Sequence, residues 1–316
     1  MLPTLKCSCG KDVIDGKPEE PVLVASSFET CRRVCSCGIA YSNAATADTS
    51  KLTKIYSDPF TGLPSYLVAD YPDVLNAALN VTNRPTKKKK FHFSTSEDHV
   101  TWTLFHFLLH ESALASTFRR LKVADSANEP ELLLWGVRIP YEFNQFSEMR
   151  KQVEGICNGL GELPSSRSEP DVILSFGGAG VVFIEVKLGS GNAHPPSKAS
   201  NWERYFEQAD AFANSEQAKE SGLYELVRNW RIACACAAER PVTLINLGPK
   251  SLFEPPRNKV LIEFEQSLNR KTNRVFRRMT WVEFLDAIPN RPDWLNKYIL
   301  ERKVLDPVPP AEDAAL

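Results

Sequence analysis

Glu169-Pro170-Asp171-Val172-Ile173-Leu174-Ser175-Phe176 is followed, after Gly177-Gly178-Ala179-Gly180, by Val181-Val182-Phe183-Ile184-Glu185-Val186-Lys187-Leu188. β-Branched and aromatic residues bounded by glycines predict the two strands of a hairpin. Alternation along the second strand puts Phe183, Glu185 and Lys187 on one face and Val182, Ile184 and Val186 on the other. A carboxylate and an ammonium therefore emerge side by side from an otherwise apolar strand, where unpaired charge is costly. Asp171 begins the neighbouring strand, so its carboxylate can converge on the same point. Two carboxylates and a lysine at one sheet edge suit a divalent cation and an activated water. The bland alternative is a surface hairpin with charges facing solvent. Against it, the run Val181 to Ile184 reads as buried on both faces.

Pro170-Asp171, a spacer and then Glu185-Val186-Lys187 resemble the PD-(D/E)XK nuclease superfamily, the restriction-endonuclease-like fold. The resemblance covers roughly residues 92 to 290 and is carried by a handful of positions. It implies an α/β sandwich with a mixed central sheet flanked by helices, and metal-dependent phosphodiester hydrolysis. Asp171 and Glu185 would then ligate Mg²⁺ or Mn²⁺, with the Val186 carbonyl as an extra ligand. Lys187 would orient the water or stabilise developing negative charge. The resemblance makes DNA the default substrate and restriction or defence in bacteria the setting, with a homodimer or a partner protein compatible. RNA stays open.

Ser94-Thr95-Ser96-Glu97-Asp98 opens a helix whose apolar stripe is Val100, Leu104, Phe107 and Leu108. Ser94 or Thr95 is the expected cap, with Glu97 or Asp98 closing a capping box. Members of the resembled family place an acidic residue at the start of this helix in the metal site, and Glu97 is the match. The competing account leaves Glu97 in the capping box alone. A helix over residues 201–212 carries Gln208, a weaker site candidate by the same resemblance. Further helices are expected over roughly 146–160, 223–238 and around Trp281 to Ile288, with strands at Val242–Leu247 and Val260–Phe264.

The chain has 316 residues, 43% hydrophobic and 24% charged, enough for one large domain and a small module. No apolar run is long enough to span a bilayer, and the opening residues lack a signal-peptide core, so a soluble cytoplasmic protein is expected. The net charge of −1 gives no global hint of nucleic acid, which leaves local clusters to supply one. Lys87, Lys88, Lys89 and Lys90 precede the Ser94 helix, and Arg274, Arg277 and Arg278 lie in a basic segment that begins at Arg257. Such clusters can neutralise phosphates. A lysine run is also a common solvated linker.

Five of the eight cysteines fall in the first 37 residues, in two Cys-Ser-Cys-Gly knuckles and at Cys31. Cys7, Cys9, Cys35 and Cys37 are expected to hold a structural Zn²⁺ in a zinc-ribbon-like module, with Cys31 as spare or substitute ligand. Free or disulfide-bonded thiols are the alternative, and a reducing compartment argues against disulfides. Cys157, Cys234 and Cys236 read as small buried apolar groups.

The organisation that follows is a cysteine module over 1–45, a connector with the basic run over 46–91, a nuclease-like domain over 92–300 and a disordered tail over 301–316. Two other functions remain open: a nucleic-acid-binding protein that has lost its chemistry, and a zinc-organised interaction factor.

Overall fold

The computed structural model describes residues 1–19, 27–69, 73–74, 89–140, 147–163, 169–192, 196, 200–207, 210–302 and 304–305. Strands β1 (Leu5–Lys6) and β2 (Asp12–Val13) pair antiparallel. Strands β3 (Arg33–Val34), β4 (Ile39–Tyr41) and β5 (Lys54–Tyr56) form a three-stranded antiparallel sheet. That sheet runs past residue 45 into the segment expected to be a connector.

The body is mixed α/β. Its six-stranded sheet comprises β6 (Glu131–Leu134), β7 (Val137–Ile139), β8 (Val172–Ser175), β9 (Val181–Val186), β10 (Val242–Gly248) and β11 (Arg274–Thr280), in the order β11-β10-β9-β8-β6-β7. β10 runs parallel to β9 and β11, and the remaining pairs are antiparallel. In chain order the helices are α1 (Tyr66–Ala69), α2 (Glu97–His110), α3 (Leu114–Arg120), α4 (Glu148–Gly159), α5 (Ser200–Phe206), α6 (Ser215–Glu220), α7 (Tyr224–Ala237), α8 (Asn258–Ser267), α9 (Trp281–Ala287) and α10 (Asp293–Glu301).

Every residue of β9 is buried, because helices cover both faces of the sheet. Val182, Ile184 and Val186 pack with Val100, Leu104 and Leu108 of α2 and with Phe284 of α9. Val181 and Phe183 pack on the other side with Leu226 and Trp230 of α7 and Phe264 of α8. The alternation expected for this strand thus separates two cores. Removing a side chain such as Phe183 would cost about 3–5 kcal/mol. Parallel pairing of β9 with β10 needs a long crossover, and α5, α6 and α7 supply it.

The hairpin turn contains a single helical turn at Gly177–Ala179 and then Gly180 at φ +124°. A Cβ on Gly180 would stand 2.6 Å from the Pro241 carbonyl oxygen, so the turn requires glycine on both counts.

The segment Val260–Phe264 is a correction: it lies in α8, not in a strand. Leu261 and Phe264 are buried three residues apart while Ile262 is 38% exposed, a helical rather than alternating pattern. The sequence reading also passed over β6, β7 and β11. β6 and β7 turn at Trp135 and Gly136, both with positive φ (51° and 78°), the requirement of a two-residue hairpin turn. Tryptophan in place of the usual Asn or Asp hides that signal, and its ring is retained by stacking on Trp102 at 6.4 Å. β11 reads in sequence as a basic cluster, because Arg274, Arg277 and Arg278 interrupt its apolar residues. Among the described residues, no helix is long and apolar enough to cross a membrane.

Candidate functional site

Strand β9 delivers Glu185 and Lys187 to the α7 side of the sheet, each only 4% exposed. Two charges buried this deeply need partners, and α7 supplies them. Lys187 Nζ donates to Glu185 Oε1 at 2.8 Å and to Glu225 Oε2 at 2.7 Å. The other oxygen of Glu185 accepts from Asn229 Nδ2 at 2.8 Å. Glu225 and Asn229 are four residues apart on α7, so they share one helical face over the strand. Next to Glu185 in register on β10, Asn246 exchanges amide hydrogen bonds with Asn192 at 2.8 and 3.2 Å.

The other two carboxylates reach the same end of β9. Asp171 Oδ2 accepts from the Val186 N–H at 2.8 Å. Glu97 arrives from the opposite helical layer, where Ser96 caps α2 by accepting from the His99 N–H at 3.2 Å. The cap is thus two residues later than one of the expected positions. Glu97 takes no part in a capping box; its Oε1 accepts from the Leu188 N–H at 2.8 Å and from Ser190 Oγ at 2.6 Å. Three acids therefore border residues 186–190, each held by a different donor of the chain.

Burial opposes charge on Lys187, but Glu185, Glu225, Glu97 and Asp171 outweigh it and hold the lysine pKa well above its ordinary value. Burial pushes the Glu185 carboxyl up, and Glu225 adds to this against the pull of Lys187. The two shifts thus differ in origin, burial for the carboxyl and surrounding negative charge for the ammonium.

Gln208 lies outside the described residues, as do Lys87 and Lys88; Lys89 and Lys90 are exposed. The basic strand is engaged within the molecule. Arg274 is 8% exposed and bonds Asp210, Arg277 donates to the Leu121 carbonyl, and Arg278 pairs with Glu265 at 3.2 Å.

At the other end of the chain, the thiols of Cys7, Cys9, Cys35 and Cys37 bring their sulfurs within 4.8 Å of one another. Among the described residues it is the only group of three or more His, Cys, Asp or Glu ligands this close. Cys7 Sγ lies 3.6 Å from Cys37 Sγ, and Cys9 Sγ lies 3.5 Å from Cys35 Sγ. A tetrahedron with metal–sulfur distances of about 2.3 Å has edges of about 3.8 Å, so the group can hold a metal with little movement. Burial raises the Cys7 pKa, but the Cys9 N–H, Tyr41 and the Cys37 and Cys9 thiols outweigh it and bring Cys7 down to about 6. Cys37 is pushed up to about 12 by burial and by the neighbouring thiols. Cys31 stands apart: it is fully buried against Ala40 and Ile55, and its thiol donates to the Ser27 carbonyl. Cys157, Cys234 and Cys236 are buried in the α7-side core.

The sequence reading missed Glu225, Asn229, Asn192 and Asn246. A usable signal existed for Asn246, an amide inside the apolar run Val242 to Leu247, and for Glu225 and Asn229, four apart beside the core residues Leu226 and Trp230. Protein-family models, curated proteins and solved structures return no match to this chain.

Proposed function

We propose that this protein is a metal-dependent nuclease hydrolysing phosphodiester bonds, in DNA first, with a structural zinc in its amino-terminal module. The observation that carries it is the gathering of Glu97, Asp171, Glu185 and Lys187 around the end of β9 from one helix and the ends of two neighbouring strands. By donor type Glu97, Asp171, Glu185 and the Val186 carbonyl suit a hard cation and would hold Mg²⁺ or Mn²⁺. For this the three carboxylates must draw closer than they stand, since they do not form a ligand cluster as the four thiols do. Such an ion supplies charge against a phosphate and lowers the pKa of a bound water. Lys187, kept protonated by the surrounding carboxylates, is suited to stabilising negative charge that develops on phosphate oxygens. Glu225 and Asn229 fix the rotamers of Lys187 and Glu185, so these groups need little reorganisation.

One observation favours a second reading, a nucleic-acid-binding module with silent chemistry. Lys187 is enclosed between two carboxylates, and each site acid already has a donor within the chain. Incubation with plasmid, linear and single-stranded DNA in Mg²⁺, Mn²⁺ or EDTA separates the two. The nuclease reading expects metal-dependent cleavage that disappears in Asp171→Asn and Glu97→Gln while DNA binding persists. Cleavage undiminished in both variants would remove these residues from the chemistry.

A further inference from the structure

We propose that the four-cysteine module is a positioning element for Glu97, so that metal held by the cysteines governs where this carboxylate stands. The functional weight of this inference rests on Glu97 being a site residue; the mechanical link stands on contacts alone.

The link is a continuous hydrogen-bonded path. At the second knuckle, the Cys35 N–H donates to the Ile39 carbonyl at 2.8 Å. Ile39 begins β4, which pairs with β5 through Ile39 with Tyr56 and Ala40 with Ile55. Residues 92–94 then join β5 as a further strand-like segment. Ser94 N–H donates to the Lys54 carbonyl at 2.8 Å, and Tyr56 N–H donates to the His92 carbonyl at 3.0 Å. Ser94 Oγ also accepts from Lys54 N–H at 3.1 Å. This segment runs directly into the cap of α2, where Ser96 N–H donates to the Phe93 carbonyl at 3.1 Å. Glu97 is the next residue. No free linker separates the module sheet from the turn that presents the carboxylate.

Arg302 closes the same joint from the carboxyl-terminal side. Its guanidinium donates to the Phe93 carbonyl at 2.7 Å and to the Pro59 carbonyl at 3.2 Å, and lies 4.4 Å over the Tyr56 ring. It is 5% exposed, so these bonds are sheltered from water.

The module is poorly equipped to hold its end of the path unaided. Its strands are two or three residues long, and its core is two small clusters, Leu5, Cys7, Val13, Cys35, Tyr41 and Leu52 in one and Cys31, Ala40 and Ile55 in the other. A core this small depends on a cross-link, here the metal that the four sulfurs can share. Losing the cross-link loosens β4 and β5, then residues 92–96, and then Glu97.

The Leu188 N–H, bonded to Glu97, reports the position of the carboxylate without any assay of cleavage. Its neighbour Lys187 N–H donates to the Leu247 carbonyl at 2.8 Å and serves as the control within the sheet. The experiment is amide hydrogen exchange by NMR on the full chain, metal-loaded and after chelation under reducing conditions, with Glu97→Ala marking full loss of the bond. Chelation is expected to speed Leu188 exchange at least ten-fold while Lys187 stays protected. Unchanged Leu188 exchange alongside faster exchange at Cys35 would make the module an independent appendage and overturn the proposal. If chelation also opens Lys187, the metal-loaded Arg302→Gln variant decides: a ten-fold rise at Leu188 alone supports the link, and no rise overturns it. A protein that cuts no DNA gives the same answer at Leu188, so failure of the nuclease reading and failure of this inference are told apart.

Discussion

Asn229 donates its side-chain amide to Glu185 at 2.8 Å, joining the middle of α7 to the penultimate residue of the central strand. Both residues are buried, so the bond exchanges little with water. Asn229→Ala would leave one oxygen of Glu185 without this donor, a loss of about 1–3 kcal/mol. Urea denaturation should report that loss, with an unchanged dependence on denaturant concentration. A variant as stable as the parent would mean that Glu185 finds another donor.

Removing the ammonium is more severe. Lys187→Ala strands Glu185 beside Glu225, and breaking a buried pair from one side costs about 3–5 kcal/mol. Adding Glu225→Gln removes one of the stranded charges, so the double variant should recover part of the loss. Strict additivity of the two substitutions in a denaturation cycle would contradict a shared network.

His99 makes folding sensitive to mild acid. It is fully buried, with Nδ1 at 2.6 Å from Tyr298 Oη and Nε2 at 3.0 Å from the Pro59 carbonyl. Thr103 Oγ1 and the Arg302 guanidinium are its other polar neighbours. Burial, assisted by the Arg302 charge, holds its pKa well below the ordinary histidine value. The unfolded chain therefore binds a proton that the folded chain refuses. Stability contributed here is complete above about pH 6.5 and falls as pH drops below it, by up to about 1.4 kcal/mol per pH unit. Denaturation midpoints from pH 7.5 to 5 should show this slope, and His99→Gln should reduce it.

The cysteine group leads to an elemental expectation. Protein purified without added metal should carry close to one zinc per chain, and Cys9→Ser should lose it together with the order of the module. Plasma emission spectroscopy on the two proteins checks this, and a metal-free parent would leave the thiols without the proposed role.

Where local pattern and tertiary environment agree, the sequence was informative. Alternation from Val181 to Lys187 predicted the faces of β9, and the paired knuckles predicted four thiols that the fold brings together. For Glu97 the sequence supports only a place at the start of α2; its contacts with Leu188 and Ser190 are 91 and 93 residues away, and no local rule reaches that far. Elements whose local signals point elsewhere went unseen. Trp135 occupies a turn position that favours Asn or Asp, and the arginines of β11 are tolerated because Asp210, Glu265 and the Leu121 carbonyl receive three of them. Glu225 and Asn229 acquire a role only once α7 is laid across β9.

The arginines of β11 carry one further consequence, for the timing of encounters rather than for stability. A guanidinium that faces its own carboxylate projects a dipole into solvent, and a dipole fades with distance faster than a bare charge. Arg270 and Arg278 both lean on Glu265, and Lys271 and Arg274 both lean on Asp210, so one charge of each cationic pair is offset and the other still projects a positive field. A polyanion would feel that reduced field mainly within a Debye length of about 8 Å. The internal pairing thus moves capture there toward, without reaching, the unsteered association rates of about 10⁵–10⁶ M⁻¹s⁻¹.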